Sequence, residues 1–259
     1  MKNSNILKYL INVFLVFMLT NVANAQEVKW SFISDPFPPF ADPGIKGKGV
    51  FWEITEAALK TQGIEATLTF APFKRALEDS KAGKYDGLIL AVLNKEREQW
   101  FLFSSYVFVQ KTVFFKLAKR DDLNFDGNLK SLEKRNFSIA VLRGASMTEV
   151  FDNADYLNKI FVTHTQQAFQ MLVLGRVDLV VSGLLNGKAI LGDLSEKENK
   201  NFGELIDVLQ PSLNDDYYHI AFSKKTPNYE MKVKIFNQGL MQIKENGTFK
   251  AILVKNGID

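Results

Sequence analysis

The chain has 259 residues, 46% of them hydrophobic, with no cysteine and a formal net charge of +3. That length supports a full buried core, as one large domain or two lobes, and the absence of cysteine excludes a disulfide scaffold or a lipid anchor on a cysteine. Lys2 and Lys8 are the only charges in the first 25 residues, so the remainder is nearly neutral, which excludes the electrostatic footprint of a nucleic-acid or anionic-membrane binder.

In chain order, an apolar stretch from Tyr9 to Leu19 is too short for a membrane span and is followed by the small-x-small run Ala23-Asn24-Ala25. This predicts a secretory signal peptide over residues 1–25 and a protein free in the periplasm. Val28 to Ser34 reads as a strand, and a loop rich in proline and glycine follows from Asp35 to Gly49. Phe51, Ile54, Ala58 and Leu59 form one apolar stripe of a helix from Val50 to Gln62, which Gly63 ends. Ile64 to Phe70 alternates as a strand, Phe73 to Ala82 is helical, and a strand starts at Asp86. Such β-α-β-α-β alternation implies right-handed crossovers and a mostly parallel open sheet.

Tyr106 to Lys119 is one long extended run rich in Val and Phe, closed by polar turn residues from Arg120 to Gly127. A second α/β series follows: strand Phe137 to Leu142, helix near Ser146 to Phe151, strand Ile160 to Thr163, helix Gln166 to Leu174, strand Val177 to Ser182. Tyr217 to Phe222 is another extended run, and a helical tail carries Met231, Ile235, Leu240 and Ile243. The tail needs a partner for its apolar face, which places it back on the first series. The fold class expected is α/β with two lobes, each a mostly parallel sheet flanked by helices, joined by two crossing strands near Phe115 and Ala221. Lobe 1 takes residues 26–117 and 222–259, and lobe 2 takes 118–221.

The two series share a repeated segment, Gly83-Lys84-Tyr85-Asp86-Gly87-Leu88 and Gly175-Arg176-Val177-Asp178-Leu179-Val180. In each, glycine ends a helix, a cation meets the negative end of its dipole, and a doubly buried strand follows. Two such units facing each other make a cleft. Ligands of open α/β sheets bind at the carboxyl ends of strands, and Arg97 lies eleven positions after Asp86, just past such an end. A guanidinium there can grip a carboxylate with two parallel charge-assisted bonds. Ser146 and Glu149 form a capping-box pattern whose helix end also offers free N–H groups to an anion. Trp52 and Trp100 fall on apolar stripes and are expected in the core.

In order, DPFPPF, GKGVFWEITEAAL, GKYDGLILAVLNKEREQWFLFS, VLRGAS and LGRVDLVVSG resemble the periplasmic solute-binding proteins of polar amino-acid uptake, extracellular solute-binding protein family 3, across the whole chain after the signal. The resemblance implies two lobes that close on a small solute and present it to an inner-membrane ABC permease, as a monomer, without catalysis. It implies that Arg97 and Ser146 hold the ligand carboxylate and that Phe37 and Phe73 stack on the solute. Arg75 and Arg143 would add positive charge to the cleft. The pattern departs at Gly183, where amino-acid binders of the family usually offer an aspartate to the ligand ammonium. A buried ammonium without counter-charge is costly, so a standard α-amino acid is poorly held unless another acid serves, Asp35, Asp215 and Asp216 being the candidates, and the ligand identity stays open.

No cofactor or metal is expected, since His164 and His219 are far apart and without an acid-histidine pattern. Gly183 to Ala189 departs from a phosphate loop in spacing and in its closing residue. The reading is a periplasmic binding protein for a small anionic or carboxylate-bearing solute. Its rivals are a cyclohexadienyl-dehydratase-like enzyme, which resembles the same family, and a solute sensor feeding a membrane receptor.

Overall fold

The computed structural model describes residues 29–133 and 136–258. The signal peptide expected at 1–25 lies outside them, and no described helix is long and apolar enough to cross a membrane. Strand β1 (Lys29–Ser34) runs parallel to β2 (Glu65–Phe70) on one side and to β3 (Gly87–Val92) on the other. Helix α1 (Val50–Lys60) makes the first crossover and α2 (Phe73–Lys81) the second, as parallel neighbours require. A single turn, α3 (Lys95–Glu98), leads to the short β4 (Phe101–Phe103) and the long β5 (Phe108–Leu117).

The second series repeats the plan. Strand β6 (Ser138–Leu142) has parallel partners β7 (Asn158–Val162) and β8 (Leu179–Gly183). The turn α4 (Glu149–Asp152) and helix α5 (Thr165–Val173) link them. Helix α6 (Leu184–Glu198), β9 (Ile206–Val208), β10 (Asn214–Ser223), α7 (Tyr229–Glu245) and α8 (Thr248–Lys255) complete the chain. The glycine-containing run after Gly183 is the opening of α6, a helix that its spacing did not announce.

One continuous sheet has the order β2-β1-β3-β10-β5-β8-β6-β7. Each half therefore has the same arrangement: three parallel strands, then one antiparallel crossing strand. Strand β5 pairs with β10 from Phe108 to Thr112 and with β8 from Thr112 to Lys116. Strand β10 pairs with β5 up to Tyr218 and with β3 from Tyr218 onward. Phe115 is thus within the β8 pairing and Ala221 opposite Leu88 and Phe103, while the exchange of partners falls at Thr112 and Tyr218.

The repeated aspartates explain why the two halves look alike. Asp86 Oδ2 accepts from the backbone amide (2.7 Å) and hydroxyl (3.2 Å) of Ser31, and its other oxygen pairs with Lys232. Asp178 Oδ2 accepts from the amide (2.8 Å) and hydroxyl (2.7 Å) of Ser138, and Oδ1 from Arg120 at 2.6 Å. Burial works to raise Asp178, but the bonds from Ser138 and Arg120 outweigh it and hold the carboxyl below its ordinary range. Each aspartate locks the start of one strand to its neighbour, and each is paired with a cation supplied just after a crossing strand. The glycines before them, Gly83 and Gly175, have φ of 78° and 65°, as left-handed helix ends.

The core divides with the sheet. Phe32, Trp52, Ile54 and Leu59 pack with Val233, Phe236, Leu240 and Ile243 of α7. The tail thus covers the first half as its apolar face required, although Met231 itself points to solvent. Trp52 is buried, but Trp100, expected in the core, is 40% exposed, with Lys81 Nζ 6.0 Å from its ring centre. Helix α7 reaches α1 closely because Gly239 has no side chain: a Cβ there would sit 2.1 Å from the Ala58 carbonyl oxygen. Gly239→Ala is therefore expected to destabilise by about 1–3 kcal/mol through overpacking, visible as a drop in Tm. Gly192→Ala in α6, where a Cβ meets nothing within 4 Å, is expected to raise stability by up to ~1 kcal/mol.

Candidate functional site

A cleft of about 540 Å³, open solvent at its mouth included, lies where the strands of both halves end and the crossing strands pass. Asp35 follows β1, Arg97 sits in the turn after β3, Ser146 follows β6, Ser182 and Gly183 end β8, and Thr112 and Asp216 come from the crossing strands. These polar contributors stand at strand ends or on the crossing pair, as expected of open α/β sheets, and Thr165 joins them from the start of α5. The two halves touch across it: Phe73 and Leu77 pack with Leu142, and Asn186 Nδ2 donates to the Pro38 carbonyl at 2.7 Å.

Arg97 is 3% exposed. Asn94 caps its turn, accepting from the Arg97 amide at 2.8 Å, which fixes where the side chain starts. Its Nη1 donates to the Val92 carbonyl at 2.8 Å and its Nη2 to the Gly144 carbonyl of the opposite half at 3.1 Å. The guanidinium carbon is 5.4 Å from the centre of the Phe73 ring. Among the described residues no carboxylate forms an ion pair with it. Burial pulls its pKa below the ordinary arginine value, with Asp152, Glu96 and Asp216 opposing from a distance. Two of five N–H donors are occupied by backbone, leaving the others for an oxyanion.

Two buried acids border the same cleft. Asp35 is pushed up to about 7 by burial, against a hydrogen bond from its own backbone amide. Asp216, on β10, is also raised by burial, although it accepts from the Thr112 hydroxyl and from Asn214 Nδ2 at 2.9 Å. Tyr218, one alternation further on, is buried and its phenol is raised, chiefly by burial and then by Asp216. Asp215 points outward and takes no part.

Of the residues expected from the sequence, Phe37, Phe73, Arg97, Ser146 and Gly183 line the cleft. Arg75 does not: it is exposed on α2, with Nε 3.5 Å from Asp79. Arg143 is exposed as well and outside the lining, because the residue after β6 turns its side chain to the surface. Ser146 is not the cap of the following turn. Thr148 holds that place, accepting from the Phe151 amide at 3.0 Å, while the Ser146 hydroxyl donates to Asp152 Oδ2 at 2.6 Å. Phe37 stacks on Phe40 and tilts against Tyr218, ring centres 6.1 and 5.9 Å away.

The space beside Gly183 is taken by a neighbouring side chain. A Cβ there would fall 2.4 Å from the Gln110 side chain, whose Oε1 accepts from the Leu185 amide at 3.2 Å. Gln110 on β5 thus fills the space that a side chain at 183 would need. Thr112, Thr165 and Tyr218 were not singled out from the sequence; Tyr218 lies one alternation past Asp216 on β10, whereas Thr112 on β5 and Thr165 on α5 carry no such signal. Leu90 also lines the cleft in the left-handed region, φ 57°, where β3 carries one residue more than β10 between their paired positions. A bulge beside a ligand cleft re-aims side chains.

A comparison with curated protein sequences gives no match. Solved structures that share the fold include the following three. The substrate-binding protein of an amino-acid ABC transporter is 18% identical, with a TM-score of 0.72 over 88% of this chain and 98% of that one. A histidine kinase sensor domain with similarity to periplasmic binding proteins is 20% identical, with a TM-score of 0.75 over 89% and 96%. The ancestral amino-acid-binding protein AncCDT-1, a precursor of cyclohexadienyl dehydratase, is 17% identical, with a TM-score of 0.69 over 89% and 96%. The model of the bacterial extracellular solute-binding proteins, family 3, matches residues 32–257, and the chain belongs to that family.

Proposed function

We propose that this protein captures a small carboxylate-bearing solute, an amino acid or a related compound, by closing its two halves on it in the periplasm. It then presents the solute to an inner-membrane ABC permease, as a monomer and without a catalytic step. The observation that carries this reading is the buried Arg97 guanidinium, unpaired with any described carboxylate and with donors left over at the strand end. Phe73 stands beside it, and Ser146 and Phe37 line the same cleft, as a carboxylate with an apolar body needs. The acids Asp35 and Asp216 supply the counter-charge for an ammonium that position 183 cannot. The lobes are taken as 26–117 with 222–259, and 118–221. The partner exchange at Thr112 and Tyr218 supports bending within β5 and β10 themselves.

A catalytic reading has one observation in its favour. Asp35, with a carboxyl near neutrality in a cleft, has the protonation that a general acid requires. Incubation with prephenate or arogenate is the deciding test, and no turnover is expected.

A thermal-shift screen of amino acids and short carboxylic acids is expected to give hits, since a ligand at 100 times its Kd stabilises by about 2.7 kcal/mol. Arg97→Ala is expected to lose the shift, because removing one member of a buried charge pair costs about 2–5 kcal/mol. An equal shift in the variant would sink the assignment of the carboxylate site.

The acids also give a pH signature. Without a bound cation the folded protein holds the Asp35 proton more tightly than the unfolded chain, so this group lowers stability as pH rises from 3.8 to about 7. A bound ammonium favours the ionised form, so affinity is expected to rise across the same window and then level off. Asp35→Asn is expected to flatten both curves, measured by Tm and by calorimetry against pH.

A further inference from the structure

The cleft has a polar corner that neither Arg97 nor the two acids use. Helix α5 opens at Thr165, directly after β7 and His164, and this first residue lines the cleft. Thr165 is 6% exposed, yet its Oγ1 has no hydrogen-bond partner among the described residues. His164, at the cap position, makes no side-chain cap bond. The amides of Thr165 and Gln166 likewise find no acceptor among the described residues, whereas Gln167 turns back to the His164 carbonyl at 3.1 Å. The buried Thr165 hydroxyl is therefore without an acceptor at one edge of the cleft, next to the free first amides of a nine-residue helix.

Buried donors left without an acceptor cost free energy, so native structures nearly always match them. The partial positive charge at a helix N-terminus selects an anionic acceptor. We infer that Thr165 and the N-terminus of α5 form a second anion subsite, which receives an acidic group at the far end of the solute. This inference rests on the proposed function, in which Arg97 holds the first carboxylate. The solute class is then a short amino acid with a second acidic terminus: carboxylate, sulfonate or phosphonate. Its ammonium would offset Asp35 and Asp216, its first carboxylate would lie on Arg97, and its second would lie on α5. The cleft volume of about 540 Å³ suits a small molecule of this kind.

Calorimetric titration of the purified protein tests this, with L-aspartate, L-glutamate and L-homocysteate as diacids and L-glutamine and L-norvaline as analogues without the second acid. At least one diacid is expected to bind about 10-fold or more tightly than both analogues, the scale of one hydrogen bond to a charged group. In Thr165→Val that preference is expected to fall about tenfold, and in Thr165→Ser to return. Binding of the analogues as tight as that of every diacid overturns the subsite, and wild-type protein alone decides that outcome even if Thr165→Val does not fold. A preference that survives in folded Thr165→Val overturns it too. Analogue binding that depends on Arg97 but shows no diacid preference removes only the second subsite. If no amino acid binds, or binding ignores Arg97→Ala, the proposed function falls and the subsite falls with it.

Discussion

The pairing of β5 with β10 is the constraint on which the rest of the structure depends. Two antiparallel strands, bonded to each other from Phe108 to Thr112 and from Asn214 to Tyr218, are the junction through which the sheet of one half passes into the other. Each then leaves its partner and joins a parallel sheet as the antiparallel fourth strand. Because each crossing strand is bonded to the other at the junction and to its own parallel sheet beyond it, the halves form one sheet rather than two unrelated domains. Side chains alternate along the junction, so that Lys111, Asp215 and Tyr217 face solvent while their neighbours turn inward. Thr112, Asp216 and Tyr218 are the inward residues that reach the cleft, Tyr218 at the margin of the first half's core.

A symmetric scaffold carries an asymmetric site. Asp86 and Asp178 perform the same local task, receiving the amide and hydroxyl of a serine one strand away and a cation from beyond a crossing strand. These bonds are satisfied internally, so neither aspartate is available to a ligand. The chemistry lies a few residues further on, where the halves differ. After β3 the chain turns and buries an arginine; after β8 it enters α6 directly through a glycine crowded by Gln110. The positive group of the cleft is thus on one half. The two acids lie on the same side or at the junction, and the opposite half offers hydroxyls and a helix end.

Burial sets the electrostatics of this cleft more than ion pairing does. Arg97 is shifted down, and Asp35 and Asp216 up, in each case with burial as the leading cause. All three shifts disfavour the charged form, which is the condition of a site whose charges lack partners within the protein. A solute bearing both signs would relieve all three at once. The structural ion pair of Asp178 with Arg120 behaves in the opposite way, since hydrogen bonds overcome burial and hold the carboxylate ionised.

The periodicity of the chain determined the two α/β series, the position of nearly every strand, the repeated glycine ends and the return of the tail to the first half. These follow from local rules, because apolar spacing and chain reversal constrain a segment wherever it sits. The place of Arg97 in the cleft was legible for the same reason: the cleft of an open sheet lies at its strand ends. Tertiary structure alone decided the rest. It turned Arg75 and Arg143 to solvent, gave the cap to Thr148 in place of Ser146, made α6 out of a run that lacked clear spacing, and exposed Trp100. It also showed that Gly183 yields its space to Gln110, seventy-three positions earlier in the chain. Which acids, hydroxyls and helix ends converge on one cavity depends on contacts between residues far apart in sequence, and single-chain spacing carries no measure of those distances.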